Sequence, residues 1–261
     1  MKTAILGYGK MGSWLAANLC REHPVGVYET DREKCVRSHG ESGEIRFLPG
    51  LEDLSAFQPD LLINAVNLER TIDAFIEVHP YIPPSCILAD IASIKGGIPV
   101  FYAKSPHRFV SVHPMFGPTF GDLRRLKKEN AVIIRESDPE GAGFFRKFFR
   151  SLGVKIFEYS FWEHDQMMAY SLTIPFASTL VFAACMSDKA VPGTTFSKHR
   201  DIAKGLLSED NHLLAEILFN PHSQPHLEKI ASRLEVLQGI IREKNHSDAA
   251  NFFEGLRKNI E

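Results

Sequence analysis

The chain has 261 residues, 44% of them hydrophobic and 24% charged, with a formal net charge of −2 at pH 7. That length suits two domains of ordinary size, and the composition is that of a globular protein rather than a disordered or fibrous one. The near-neutral balance gives no reason to expect a nucleic-acid or anionic-membrane partner. Four cysteines, Cys20, Cys35, Cys86 and Cys185, form no C-x-x-C pair and no metal-ligand spacing, so no metal is expected. Cys86 in a strand and Cys185 in an apolar helix read as small hydrophobes of a reducing compartment. A first strand beginning at about Lys2 leaves no room for a leader, and even the apolar run 167–186 is broken by Ser, Thr and Pro. A cytoplasmic protein without a membrane span is the expectation.

Thr3 to Leu6 reads as a short buried strand, and Gly7-Tyr-Gly9-Lys-Met-Gly12 comes directly after it. A helical pattern then places Met11, Trp14, Leu15 and Leu19 on one face. Strand, G-x-G-x-x-G, helix is the context of a dinucleotide-binding turn. Gly7 permits the tight turn, Gly9 admits a pyrophosphate to the backbone, and Gly12 lets helix and strand pack closely. Lys10 and Met11 open a helix whose first N–H groups and partial positive charge face the anion. Val25 to Tyr28 is the second strand, ending at Glu29, about 20 residues beyond the first glycine, where an acid accepts hydrogen bonds from an adenosine ribose. Glu29 reads either as that acid or as a solvated strand-end carboxylate. As the ribose acid it repels a 2′-phosphate and favours NAD over NADP, an effect that Arg32 partly offsets.

The alternation continues with strands at Glu44 to Leu48, Asp60 to Val66 and Ser85 to Asp90, and a helix from Glu69 to His79. Strands separated by helices predict a parallel, doubly wound Rossmann-type sheet. Ligands of such sheets bind at the carboxyl ends of the strands. Gly7–Gly12, Asn64–Leu68 with Ala65 and Val66, and Asp90–Gly97 therefore converge on one crevice. Ser93 and Lys95 face either an anionic substrate or the cofactor. Alternatively Ser93 caps the next helix and Lys95 is solvated.

Arg108 to Val112 is a further strand, opening into Ser111-Val-His113-Pro-Met-Phe-Gly-Pro118. An imidazole at a strand mouth, on a loop stiffened by Pro and Gly, suits a positioned proton acceptor or, equally, a turn histidine. Asn130 to Arg135 is a strand. Pro139 to Leu152 is a helix whose Phe144, Phe145, Phe148 and Phe149 form a core face. Val154 to Phe157 closes the sheet, which predicts domains of 1–159 and 160–261.

From Phe161 the pattern is helical. Glu163-His164-Asp165 opens a long apolar helix to about Met186, interrupted at Pro175, that needs covering by other helices or by a second subunit. His164 is either a helix-start residue or part of a site. Lys198, His199 and Arg200 read either as cations that receive substrate carboxylates or, for at least one of the three, as simply solvated. Helices over Asp201–Phe219, Pro225–Asn245 and Ser247–Ile260 complete an all-helical second domain.

Taken together and in this order, Gly7–Gly12, Ser93-x-Lys95, His113-Pro-Met-Phe-Gly-Pro118 and Glu163-His164-Asp165 resemble the prephenate/arogenate dehydrogenase family. Gly117-Pro-Thr-Phe120, Ala169-Tyr-Ser171 and Gly205-Leu-Leu-Ser-Glu-Asp210 fit as well, most like the short monofunctional bacterial members. No chorismate mutase domain is expected in the remaining length. The resemblance implies oxidative decarboxylation of prephenate, or of arogenate, with NAD as hydride acceptor. It implies His113 as base for the ring hydroxyl, Ser93 beside it, and a homodimer built through the C-terminal helices. Two departures stand out. Phe176 occupies the place of a second family histidine, and the arginine that holds a substrate carboxylate aligns with Ser197 to Asp201, where Lys198 and Arg200 are the cations.

Overall fold

The computed structural model describes residues 1–31, 33, 45–117, 126–187 and 191–260. Arg32, Cys35, Glu44 and Pro118 to Phe120 lie outside the described residues. Eight strands form one sheet: β1 (Thr3–Leu6), β2 (Val25–Tyr28), β3 (Ile45–Leu48), β4 (Leu61–Asn64), β5 (Ile87–Asp90), β6 (Phe109–Pro114), β7 (Asn130–Ile134) and β8 (Lys155–Tyr159). Their order is β3-β2-β1-β4-β5-β6-β7-β8. The doubly wound order holds, with one departure from an all-parallel sheet: β7 runs antiparallel to β6 and parallel to β8.

The central strands are buried on both faces, as continuous apolar runs require. The period of two along each strand sorts their side chains into two cores. Ile5, Leu61, Ile63, Ile87 and Ala89 point to one face, where helices α1 (Lys10–Leu19) and α5 (Pro139–Ser151) cover them with Leu15, Leu19, Phe145 and Phe149. Ala4, Leu6, Leu62 and Leu88 point to the other, under α2 (Asp53–Phe57), α3 (Thr71–Val78) and α4 (Ile98–Lys104). Phe145 and Phe149 are fully buried, with Phe144 and Phe148 packed at the margin. Asp138 starts α5 by accepting hydrogen bonds from the N–H groups of Glu140 and Gly141, with Pro139 as the first helical residue.

β6 is longer than the pattern of Arg108 to Val112 indicates. His113 and Pro114 lie inside it, paired with Val132 and Ala131 of β7, and Met115 N–H donates to Asn130 O at 2.9 Å. An antiparallel neighbour supplies the ladder that carries the strand through His113, so this residue sits in a strand and not on the loop beyond it.

The described chain divides into two compact units, Met1–Met167 with Ser208–Glu216, and Met168–Leu207 with Ile217–Glu261. The division falls within the helix after β8, at Met167, and not at 159/160 where the sequence texture changes. The first turns of α6 (Phe161–Met168) stay with the sheet because Glu163 pairs with Arg135 at 3.1 Å and His164 meets His113.

The second unit is helical: α7 (Ile174–Ala184), α8 (Thr194–Leu206), α10 (Gln224–Glu243) and α11 (His246–Lys258), with α9 (Asn211–Leu218) shared between the units. A π-helical turn, Ala169–Thr173, immediately precedes Pro175 and absorbs the break that proline imposes. Within this unit the Thr173 and Ser223 hydroxyls lie 2.6 Å apart, and Phe182 packs on Phe196. Contrary to the expectation drawn from 167–186, the continuous helix Phe161–Ala184 is long and apolar enough to cross a membrane by length and composition, with a mean hydropathy of 1.5 over its most apolar window. Only 17% of that window is buried within the described chain. Cys20 and Cys86 are buried, whereas Cys185 caps the end of α7 and is exposed.

Candidate active site

β1, β4, β5 and β6 run parallel, so Gly7, Ala65, Ser93 and His113 all fall at one edge of the sheet. At the β1 end Gly7 adopts φ +87°, a conformation open to glycine. A Cβ on Gly12 would run into the Gly7 carbonyl, while nothing lies within 4 Å of the position a Cβ would take on Gly9. No side chain caps α1, so its first N–H groups face outward beside that open backbone. Glu29 accepts from Tyr8 N–H at 2.7 Å and, through its other oxygen, from Asp31 N–H at 2.9 Å and the Thr30 hydroxyl at 3.2 Å. It is therefore a built part of the glycine turn rather than a freely solvated strand end. A cleft of ≈ 300 Å³ opens here, lined by Gly7, Gly9, Glu29, Ala65, Val66 and Arg70 among others. An open glycine backbone, an uncapped helix start and a strand-end carboxylate fit a dinucleotide. Lys10 and Met11 open α1 outside the cleft lining.

At the β6 end His113 is 7% exposed and His164 is fully buried. His113 Nδ1 lies 3.1 Å from His164 Nε2, and His164 Nδ1 lies 3.2 Å from Asp165 Oδ1. This chain of contacts assigns the protons. A carboxylate only accepts, so His164 Nδ1 carries a hydrogen and its Nε2 is left as acceptor. His113 Nδ1 must then donate, which leaves the lone pair of His113 on Nε2. Burial pushes the His113 pKa well below the ordinary imidazole value, and His164 and Lys95 push it further down. Burial also lowers His164, with the Asp165 hydrogen bond opposing it. Two neutral rings in series, anchored on a carboxylate, form a proton acceptor with a set tautomer.

Ser93 is half-buried, and its hydroxyl makes no hydrogen bond among the described residues. It does not cap a helix, because α4 begins at Ile98 with Gly97 in the cap position. Lys95 departs from both sequence readings. It is neither solvated nor turned to a ligand: fully buried, it donates to Asp90 Oδ1 at 2.6 Å and to the Val112 carbonyl at 2.8 Å. Ile94 and Ile98 on either side of it are buried as well, and an ammonium out of reach of water requires such partners. Lys198 and Arg200 lie on α8 of the second unit. Lys198 is exposed, and Arg200 has a buried Nε with no hydrogen-bond partner among the described residues.

Sequence pattern leaves His164 undecided and gives no site role to Asp90, Arg70 or Asp165. The Glu163-His164-Asp165 triplet is visible in the chain, but only packing shows that its imidazole meets His113. Arg70 precedes α3 with its guanidinium on Asp73 at 3.1 Å and Glu77 at 2.7 Å, and the position just past β4 is its one signal.

Residues 15–137 match the family model for the nucleotide-binding domain of prephenate dehydrogenase. A T-protein of Haemophilus influenzae is 23% identical over 95% of this chain and 60% of its own length. The chloroplastic arogenate dehydrogenase 2 of Arabidopsis thaliana is 23% identical over 90% of this chain and 68% of its own length. The chain spans about half to two-thirds of the curated relatives it matches. Among solved structures, prephenate dehydrogenase from A. aeolicus in complex with hydroxyphenyl propionate and NAD+ superposes with a TM-score of 0.81 at 17% identity, covering 100% of this chain and 98% of that one. That likeness establishes the fold.

The depressed imidazoles have a consequence for stability. The unfolded chain binds protons on His113 and His164 near pH 6.5, whereas the native chain keeps both rings neutral to lower pH. Stability therefore falls as pH drops below about 6.5, by up to about 1.4 kcal/mol per pH unit for each ring. Urea unfolding from pH 7.5 to 5.5 measures this, and His113→Asn should flatten the slope. A wild-type slope no steeper than that of the variant would contradict the assignment.

Proposed function

We propose that this chain belongs to the prephenate/arogenate dehydrogenase family, which it resembles, and that it oxidatively decarboxylates prephenate to 4-hydroxyphenylpyruvate with NAD as hydride acceptor. The observation that carries the reading is His113, whose Nε2 lone pair is directed by the His164–Asp165 contacts. Gly7, Gly9 and Glu29 of the glycine-turn cleft would hold the dinucleotide, which would supply the hydride acceptor. His113 Nε2 takes the ring hydroxyl proton as the hydride leaves the carbinol carbon, and Ser93 donates to the same oxygen. Loss of CO2 from the ring carbon then leaves its bonding pair in the ring, which becomes aromatic with a phenolate oxygen. The proton held on His113 returns to that oxygen, so the base is reset without exchange with solvent.

Glu29 favours NAD, since a carboxylate at the ribose repels a 2′-phosphate. The A. aeolicus protein of the same fold was crystallised with NAD+. Arg200 is the better candidate than Lys198 for a substrate carboxylate, because a buried guanidinium nitrogen without a partner is costly unless an anion meets it. Prephenate has a keto acid side chain where arogenate has an amino acid, and the second reading, arogenate as substrate, rests on the similarity to the Arabidopsis enzyme.

A second copy of the chain is the proposed partner. The two terminal helices α10 and α11 contain no buried residue, yet they carry Leu234, Ile241, Phe253 and Leu256 at 44–66% exposure. Apolar stripes of this kind are covered in a stable assembly.

Formation of NADH followed at 340 nm with prephenate and with arogenate tests the activity, and turnover of neither overturns it. His113→Asn should lower kcat by about 10²–10⁴-fold with NAD affinity unchanged. Arg200→Ala should raise KM for prephenate by roughly tenfold or more while kcat changes less. Light scattering on the eluted protein should give twice the chain mass; a monomer at micromolar concentration would refute the dimer.

A further inference from the structure

We propose that Lys95 is a positioning residue for this reaction: its ammonium, held by Asp90, fixes the backbone of β6 beside His113. The inference rests on the dehydrogenase reading.

The sheet itself creates the need for such a brace. β5 pairs with β6 only as far as Asp90 opposite Ser111, while β6 continues to Pro114. On its β5 side the strand therefore loses its ladder partner one residue before Val112 and two before His113. The Val112 carbonyl, a buried acceptor, would be left unpaired there. Lys95 Nζ takes it at 2.8 Å, doing from a side chain what the missing strand residue would have done. Because Val112 and His113 share a peptide bond, holding that carbonyl holds the plane from which the His113 side chain departs.

The brace is itself anchored. Lys95 Nζ lies 2.6 Å from Asp90 Oδ1, which also accepts from Ala92 N–H at 3.2 Å, and Asp90 Oδ2 accepts from the Tyr102 hydroxyl at 2.9 Å. Lys95 and Asp90 are both fully inaccessible. A lysine gripping a carboxylate of substrate would need its ammonium at a surface, and this one has none.

The charge matters as much as the geometry. The titratable and charged groups that face the two rings among the described residues are Lys95 and Asp90 from the end of β5 and its loop, and Asp165 from α6. Asp165 and Asp90 favour a charged His164, and Lys95 disfavours charge on both rings. In a site closed to water such a charge is little screened. Without Lys95, His113 protonates at higher pH and stops serving as base sooner.

Two variants separate brace from charge. Lys95→Met combined with Asp90→Asn removes the ammonium without stranding a buried carboxylate. Lys95→Gln, also made with Asp90→Asn, keeps a donor for the Val112 carbonyl, drops the charge and strands no buried carboxylate. With folding checked by circular dichroism, the Lys95→Met variant should lose roughly tenfold or more in kcat with KM for substrate little changed. Lys95→Gln should recover part of that kcat. In both, His113 should titrate at higher pH than in the wild type, read by 15N-edited NMR of the histidine rings without substrate, and the acid limb of kcat/KM should move with it. An unchanged kcat together with an unchanged His113 titration in a folded variant overturns the proposal. So does a KM that rises while kcat stays constant, the result expected of a substrate ligand. If the Lys95→Met variant does not fold, the Lys95→Gln variant decides on the titration alone. A wild-type chain inactive on both prephenate and arogenate overturns the dehydrogenase reading, and the NMR titration still decides the role of Lys95.

Discussion

A lysine ammonium shut away from water, 2.6 Å from the Asp90 carboxylate, sits where β5 ends and β6 continues. Neither charge has another place to go. A lone buried ion is far costlier than a pair, so the two residues hold each other in position, and through them three elements are joined: β5 by Asp90, α4 by the Tyr102 hydroxyl, and β6 by the Val112 carbonyl. Such a pair adds less to stability than apolar residues of the same volume can. What it adds is definition, since a buried ion pair is satisfied in one geometry and slips to no other without cost. His113 inherits that geometry directly, being the next residue along β6.

The same edge of the sheet carries a second set of constraints at the β1 end. Gly7 and Gly12 are required by backbone contacts: the first by its positive φ, the second because a side chain there would collide with the Gly7 carbonyl. Glu29 then ties the turn to β2 through Tyr8 N–H. Trp14 of α1 packs edge-on against Phe116, three residues past His113, with ring centroids 5.4 Å apart. The helix that begins at the glycine turn and the segment that leaves β6 thus share one aromatic contact.

Much of this is legible in the chain. Continuous apolar runs bounded by turns mark β1, β4 and β5, and the period of two within them sorts Ile5 from Leu6 and Ile63 from Leu62 into opposite cores. The Phe144–Phe149 stripe is readable as core because aromatic residues at helical spacing need a surface to cover. The extent of β6 is not legible. Pro114 ends strands in most settings, and only the antiparallel neighbour β7, distant in sequence and reversed in direction, carries the ladder through His113. The first turns of α6 mislead for a related reason: their helical texture matches the helices downstream, while Glu163 and His164 are held by the sheet.

Residue types and local spacing by themselves determined the sheet, the glycine turn with its carboxylate, and the candidacy of His113, because each depends on neighbours within one or two elements. Tertiary structure alone decided what those candidates touch. It turned Lys95 from a ligand for substrate into the partner of Asp90, and it joined His113 to His164 across 51 residues of chain. Whether a charge faces solvent or a buried counter-charge depends on which distant segments pack above it. No local pattern contains that information. The chemistry of the site was written in single residues, and its geometry in the contacts between them.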